Sequence, residues 1–331
     1  WIKEGLVDWD ITRDISWGVP IPIDGLKDKV FYGWFDNHLA YISSTLKFLN
    51  DKNIDGKSFW NDADIYHFIG KDIVYHHYLF LPAMRLGLEK EFKLPDYIPT
   101  RGHLTLEGKK ISKSRNWYIG LKDFLEKFPA DYLRFYLISI NPYSQDDLNF
   151  DWEQFSTKIN SELIGNLGNL VNRALGFTNK TFDGVIPDPE SFDEKDSESE
   201  QKIKSLAEDI GKLMEENHLD RALKQLMEFS AHFNQYFQHK EPWKKGPGTN
   251  TCIYLSVNAV HSIAICLHSF LPKSAQKIWS QLGMTGNVSD VNWSTMSNLE
   301  LKSGHKIGTV EPIFSKVEQS VIDEEQSKLG N

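Results

Sequence analysis

RGHLTLEGKKISKS, residues 101–114, decides how the rest of the chain is read. Together with YIPT before it (97–100), its first part reads as a strand with turn residues around it, as far as Gly108. Two lysines, Lys110 and Lys113, then bracket a Ser-containing loop, and a helix is expected from about Leu121. Ammonium groups on such a loop can neutralise charge building on phosphate oxygens in a transition state. A solvated basic turn is the plain alternative, and K-x-S-K-S alone does not decide between them.

Toward the N-terminus the same alternation of strand and helix continues, which predicts a parallel α/β sheet. KVFYGWF (29–35) and IYHFIG (65–70) read as strands, the second ended by Gly70. A strand ending in Gly lets a ligand approach the backbone, and strand carboxyl ends are where nucleotide sites form. Asp72 is placed either to hold a ribose hydroxyl or simply to cap the next helix, which carries Ile73, Leu79, Met84 and Leu86. In WFDNHLAY (34–41), Trp34 and Tyr41 suit either an apolar ligand or the core. His67, His76 and His77 are candidates for lining a pocket rather than for a metal. His76 and His77 are about 100° apart around a helix and so face different ways.

Beyond about Asn149 the pattern changes to long helices, so the fold class is α/β followed by all-α. Phe155, Ile159, Leu163, Leu167, Val171 and Leu175 recur at helical spacing. DGVIPDPESFDEKDSESE (183–200) reads as an acidic linker, with helices expected at about 200–217, 219–240, 250–271 and 274–283. Asn169 and Arg173 share a helix face, and Trp243 follows a Pro at a helix end. Amides and guanidinium groups can bond base edges, and indole can stack on an unpaired base. A surface amide and a bundle-capping aromatic are the plain alternatives. We place domain boundaries at 1–145, 146–290 and 291–331.

The net charge of −9 leaves nucleic-acid binding to a local basic patch. Cys252 and Cys266 are fourteen residues apart in one expected helix, about 21 Å along its axis, too far for a disulfide. With no CxxC, no zinc is expected, and a reducing cytoplasm fits. The apolar run 253–271 is broken by Asn258, His261 and His268, which predicts a buried bundle helix and no membrane partner.

KISKS (110–114) resembles the KMSKS signature of class I aminoacyl-tRNA synthetases, with Ile111 in place of Met. FIGKDIVYHH (68–77), RGHLTLEGKKISKS and LRFY (133–136) resemble the methionine-specific family in order and spacing along nearly the whole chain. The resemblance implies the C-terminal half of a Rossmann-type catalytic domain, then a helical anticodon-binding bundle. It implies a methionine–tRNA ligase that activates methionine with ATP and Mg2+ and passes it to tRNA(Met). Carried over residue by residue, Lys110 and Lys113 are catalytic. Gly70, Asp72, Lys110, Ser112 and Lys113 contact ATP. Trp34, Tyr41, Ile73 and His77 line the methionine pocket, and Asn169, Arg173 and Trp243 read the CAU anticodon. Residues 313–318 resemble the end of the bundle domain, which packs back on the core.

The sequence departs from the family in several places. Asn37 and His38 stand where Ala-Pro is usual, and Leu81 where Trp is common. No HIGH-type histidine motif and no zinc-bearing insertion is found. The chain is therefore expected to be a fragment that needs an N-terminal half and is inactive alone. A leucine-, isoleucine-, valine- or cysteine-type class I synthetase and a non-catalytic tRNA-binding module are the rival readings.

Overall fold

In the computed structural model, which describes residues 2–87 and 91–330, the chain forms two units, residues 1–101 and 102–331. In the first, β1 (Thr12–Arg13) pairs antiparallel with β2 (Val30–Phe31). Helices α1 (Gly33–Asp36) and α2 (Leu39–Asn50) follow at once. Only two residues of the expected strand 29–35 are therefore strand. Its aromatics answer to ring packing instead: Phe31 and Phe35 stack at 5.1 Å, and tertiary contacts of this kind override β propensity. Asp55 caps α3 (Gly56–Asp62), accepting from the Lys57 and Ser58 amides.

The strand expected at 65–70 is paired as β3 (Ile69–Gly70), parallel to β4 (Thr100–Arg101). Beyond it come a 3-10 turn (Lys71–Ile73), a π-helical turn (His76–Phe80) and α4 (Leu81–Gly87). Gly70, not Asp72, is the residue at the N-cap of the turn, and no side chain caps it.

The second unit begins with the hairpin of β5 (Leu104–Leu106) and β6 (Lys109–Lys110). Its turn residues Glu107 and Gly108 have φ of 49° and 72°, the paired positive angles that a two-residue hairpin of this twist demands. The expected strand 97–108 is thus two, β4 and β5. After α5 (Leu121–Lys127) and α6 (Ala130–Ser139), a strand the sequence pattern hides, β7 (Leu148–Phe150), pairs parallel with β5. The division expected near 145 falls inside this unit, because β7 ties the bundle's first helix to the hairpin.

That helix starts at Asp151, whose carboxylate accepts from the Gln154 amide at 2.8 Å. It continues through α7 (Trp152–Lys158), a π-helical stretch (Ile159–Gly168) and α8 (Asn169–Phe182). All six apolar residues of the expected stripe are buried. α9 (Glu194–Glu215) begins six residues earlier than expected. Asp193 and Asp196 form a capping box there, so part of the acidic stretch is helix rather than linker. α10 (Leu219–Lys240), α11 (Thr249–His268) and α12 (Pro272–Gln281) complete the bundle. α11 is long and apolar enough to cross a membrane, yet 94% of its most apolar window is buried inside the protein. Cys252 and Cys266 on it are both free and buried.

The last forty residues end in α13 (Gln319–Ser327). They return to the start of the unit: Tyr132 donates to the Ser315 carbonyl at 2.7 Å, and Asn160 to that of Val317 at 2.9 Å.

Candidate functional site

The first unit gathers an aromatic and histidine cluster on α1, α2 and the π-helical turn. His77 Nδ1 lies 3.0 Å from the Ile73 carbonyl, and its Nε2 lies 3.2 Å from the Tyr41 hydroxyl. A carbonyl can only accept, so Nδ1 carries a proton and donates to Ile73, leaving Nε2 to the Tyr41 hydroxyl. His67 packs against Tyr41 at 4.6 Å and against His77 at 5.6 Å. His76 faces Trp34 at 4.7 Å and Trp9 at 5.6 Å. The two adjacent histidines do point different ways. Tyr41 and the Ile73 carbonyl both meet His77, while Trp34 packs on His76 instead.

His38 and His67 are almost wholly buried. Burial, and then neighbouring His77, pulls both down to about 4, so at neutral pH these rings are uncharged. His38 Nε2 lies 3.2 Å from Met84 Sδ. Trp9 and Phe80, 4.7 Å apart edge to face, belong to the cluster too. Sequence reading missed them because Trp9 sits in an unpatterned segment.

Gly70 and Asp72 are also in contact. A Cβ added at Gly70 would stand 2.5 Å from Asp72 Oδ1. Its φ of −81° suits any residue, and the Asp72 carboxylate, the tip of a side chain, would have to turn aside to admit a Cβ.

In the second unit the lysine loop has a fixed foot and an open tip. Ser112 and Trp117 close it with two backbone bonds of 2.8 and 2.9 Å. Trp117 is itself held, its Nε1 donating to the Leu106 carbonyl at 2.7 Å, with Lys109 Nζ 4.1 Å over its ring. Asn116, in the left-handed region at φ 48°, donates to the Lys328 carbonyl at 3.1 Å, and the Gly330 amide donates back to Asn116 at 2.9 Å. Lys110 and Lys113 are exposed, and no ion pair among the described residues engages them. Ser112 and Ser114 hydroxyls lie 3.2 Å apart.

Asn169, Arg173 and Trp243 come together on the face shared by α8 and α10. Arg173 lies 4.8 Å over the Phe237 ring and 5.9 Å over that of Trp243. Its Nη2 donates to Gln238 Oε1 at 3.1 Å, and Asn169 donates to Asn234 Oδ1 at 2.8 Å. Partial burial lowers the Arg173 pKa, but an Arg remains charged. Trp243 is 42% exposed, which leaves its ring open for stacking. Asn234, Phe237 and Gln238 went unseen in the sequence, although the four-residue spacing of Asn234 and Gln238 mirrors that of Asn169 and Arg173.

Two family models match this chain: tRNA synthetases class I (M) over residues 1–175, and the anticodon binding domain of methionyl tRNA ligase over residues 186–331. A methionine–tRNA ligase of Methanopyrus kandleri is 41% identical over 99% of this chain and 49% of its own length. One from Pyrococcus horikoshii is 40% identical over 97% of this chain and 46% of its own length. The chain thus spans about half the length of the curated relatives it matches. Among solved structures, a Mycobacterium tuberculosis methionyl-tRNA synthetase in complex with methionyl-adenylate superposes with a TM-score of 0.84 at 27% identity, covering 95% of this chain and 61% of that one.

Proposed function

The chain belongs to the methionine type of class I tRNA synthetases, and from that premise we propose that it is part of a methionine–tRNA ligase acting in the cytoplasm. In the proposed reaction the methionine carboxylate attacks the α-phosphorus of ATP and pyrophosphate leaves. A ribose hydroxyl at the end of tRNA(Met) then attacks the carbonyl carbon and AMP leaves. ATP enters with Mg2+ as the substrate complex.

Lys113, assisted by Lys110, offsets the charge that grows on the departing phosphates, and Ser112 contacts ATP from the same loop. Gly70 gives close backbone access to the nucleotide, and Asp72 bonds the ribose. Trp34, Tyr41, Ile73 and His77 line the methionine pocket. The Tyr41–His77 bond leaves the aromatic faces and edges to the thioether, which packs well on them. Catalysis comes from positioning and electrostatics, with no covalent enzyme intermediate.

The observation that carries the tRNA side of this reading is the stacked arrangement of Arg173 over Phe237 and Trp243 beside Asn169. We assign these residues to the CAU anticodon, with Trp243 stacking on a base. The test is binding of initiator and elongator tRNA(Met) to this chain and to Trp243→Ala. Loss of one base–aromatic stack should weaken binding roughly tenfold or more, and binding should need CAU. Anticodon-independent binding, unchanged in the variant, would remove this assignment.

By themselves these 331 residues, which contain no HIGH-type histidine motif, are expected to hold tRNA without forming adenylate. Methionine-dependent pyrophosphate exchange by the chain alone would refute that.

A further inference from the structure

Asn169 is the outermost of three linked side-chain amides, with Asn234 and Asn166 behind it anchored to main-chain carbonyls. Asn166 Nδ2 donates to the Met227 carbonyl at 2.8 Å. A backbone carbonyl accepts only, so the Asn166 nitrogen must face it and its Oδ1 must face the other way. That oxygen lies 3.1 Å from Asn234 Nδ2, which also meets the Asn166 carbonyl at 2.9 Å and the Ser230 carbonyl at 3.3 Å. Three acceptors fix the nitrogen of Asn234 on this side, and its oxygen is turned toward Asn169. The Asn169 group that answers it at 2.8 Å is therefore the NH2, and the Asn169 oxygen is left facing outward. Asn169 is exposed, and among the described residues no donor takes that oxygen. The Asn234 main-chain carbonyl also accepts from Arg173 Nη1 at 3.5 Å.

We propose that Asn234 is a positioning residue that sets the polarity of Asn169, presenting it to RNA as a hydrogen-bond acceptor. The base edge it meets must then present an amine at that place, as cytosine does with N4 and adenine with N6. A base with a carbonyl at that place, uracil or guanine, would set oxygen against oxygen. This inference rests on the anticodon-binding reading above and adds a direction to it. An amide free to rotate would accept either kind of base; one held by Asn234 cannot.

The test uses anticodon-arm hairpin RNAs bearing CAU, UAU and CGU, which exchange an amine for a carbonyl at the first or the second base. With the unsubstituted chain, one of the two changes should weaken binding roughly tenfold or more. Asn234→Ala should shrink that ratio to about twofold or less while keeping most of the affinity for its better ligands. Asn166→Ala should keep the full ratio, because the Asn166 and Ser230 main-chain carbonyls still hold the Asn234 amide. Thermal melting of each variant checks that the bundle is intact. An undiminished ratio in Asn234→Ala, or its loss in a folded Asn166→Ala, overturns the relay. Equal binding of all three RNAs by the unsubstituted chain overturns the anticodon reading itself, and the relay with it.

Discussion

Two glycines that flank β5 have different reasons to be there. Gly102 precedes β5, where a Cβ would stand 1.9 Å from the Asp146 carbonyl oxygen and 2.4 Å from its carbon. Both are backbone atoms, and the segment cannot yield without breaking the neighbouring bonds from the His103 amide to Asp147 at 2.8 Å and from the Leu148 amide to His103 at 2.8 Å. Gly108 has open space around it, but its φ is +72°. Gly102→Ala should therefore cost about 3 kcal/mol or more, as overpacking against rigid neighbours does. Gly108→Ala should cost only about 1–2 kcal/mol of left-handed backbone strain. Urea melts of the two variants check the order, and equal midpoints would show that the loop at Asp146 yields more easily than its bonds suggest. In the sequence Gly102 stands unmarked inside the expected strand 97–108, because close approach of distant backbone leaves no local pattern.

At the scale of elements, legibility followed periodicity. The helix Leu219–Lys240 starts and stops where the pattern puts it, and Leu121 opens α5 as expected. The failures are short or compositional. Three-residue β7 is too short to show alternation, and the aromatic run at 29–35 has two reasons to exist, strand propensity and ring packing, of which the second won. The acidic run at 183–200 misled because charge suggested solvent. Asp196 is instead buried, bonded to Lys240 Nζ at 2.7 Å and accepting from the Tyr236 hydroxyl at 2.5 Å, while Asp193 caps α9 and shares Lys240 at 2.7 Å. The hydrogen bond from Lys240 holds the Asp193 carboxyl down at about 2. Asp193→Ala removes a cap but leaves Lys240 its second partner, so the expected loss is about 1 kcal/mol. Asp196→Ala also leaves Lys240 a partner, Asp193, but it strips the buried Tyr236 hydroxyl of its acceptor and should cost about 1–3 kcal/mol more than the loss of the cap. Chemical denaturation of the two variants separates a cap from a buried acceptor. A similar small loss for both would mean that Asp196 stays hydrated.

For the molecule as a whole, the succession of an α/β part and a helical bundle was legible, and the motifs named the candidate site residues. The partners that orient them were not, because a histidine's neighbours and an amide's polarity depend on contacts between distant segments. The buried histidines give this missing layer a measurable consequence. His38 and His67 in the first unit, and His261 in the second, are lowered by burial to about 4, against an ordinary value of about 6.5. Between those values the unfolded chain binds protons that the folded chain refuses, so stability falls as pH drops from 6.5 toward 4 and the slope ends once the folded rings are protonated too. Each ring can contribute on the order of 1–3 kcal/mol across that window. Trp9 and Trp34 lie against the same cluster, so tryptophan fluorescence reports on it. The urea midpoint of the first unit's fluorescence change should decline between pH 7 and pH 4.5. His38→Phe with His67→Phe should flatten that decline, since the double variant has lost the two rings whose protonation drives it. A decline of the same steepness in both proteins would place the acid sensitivity in another group of the first unit, such as His76, which burial also lowers, and not in Asp193, whose contribution is lost only between about pH 4 and pH 2.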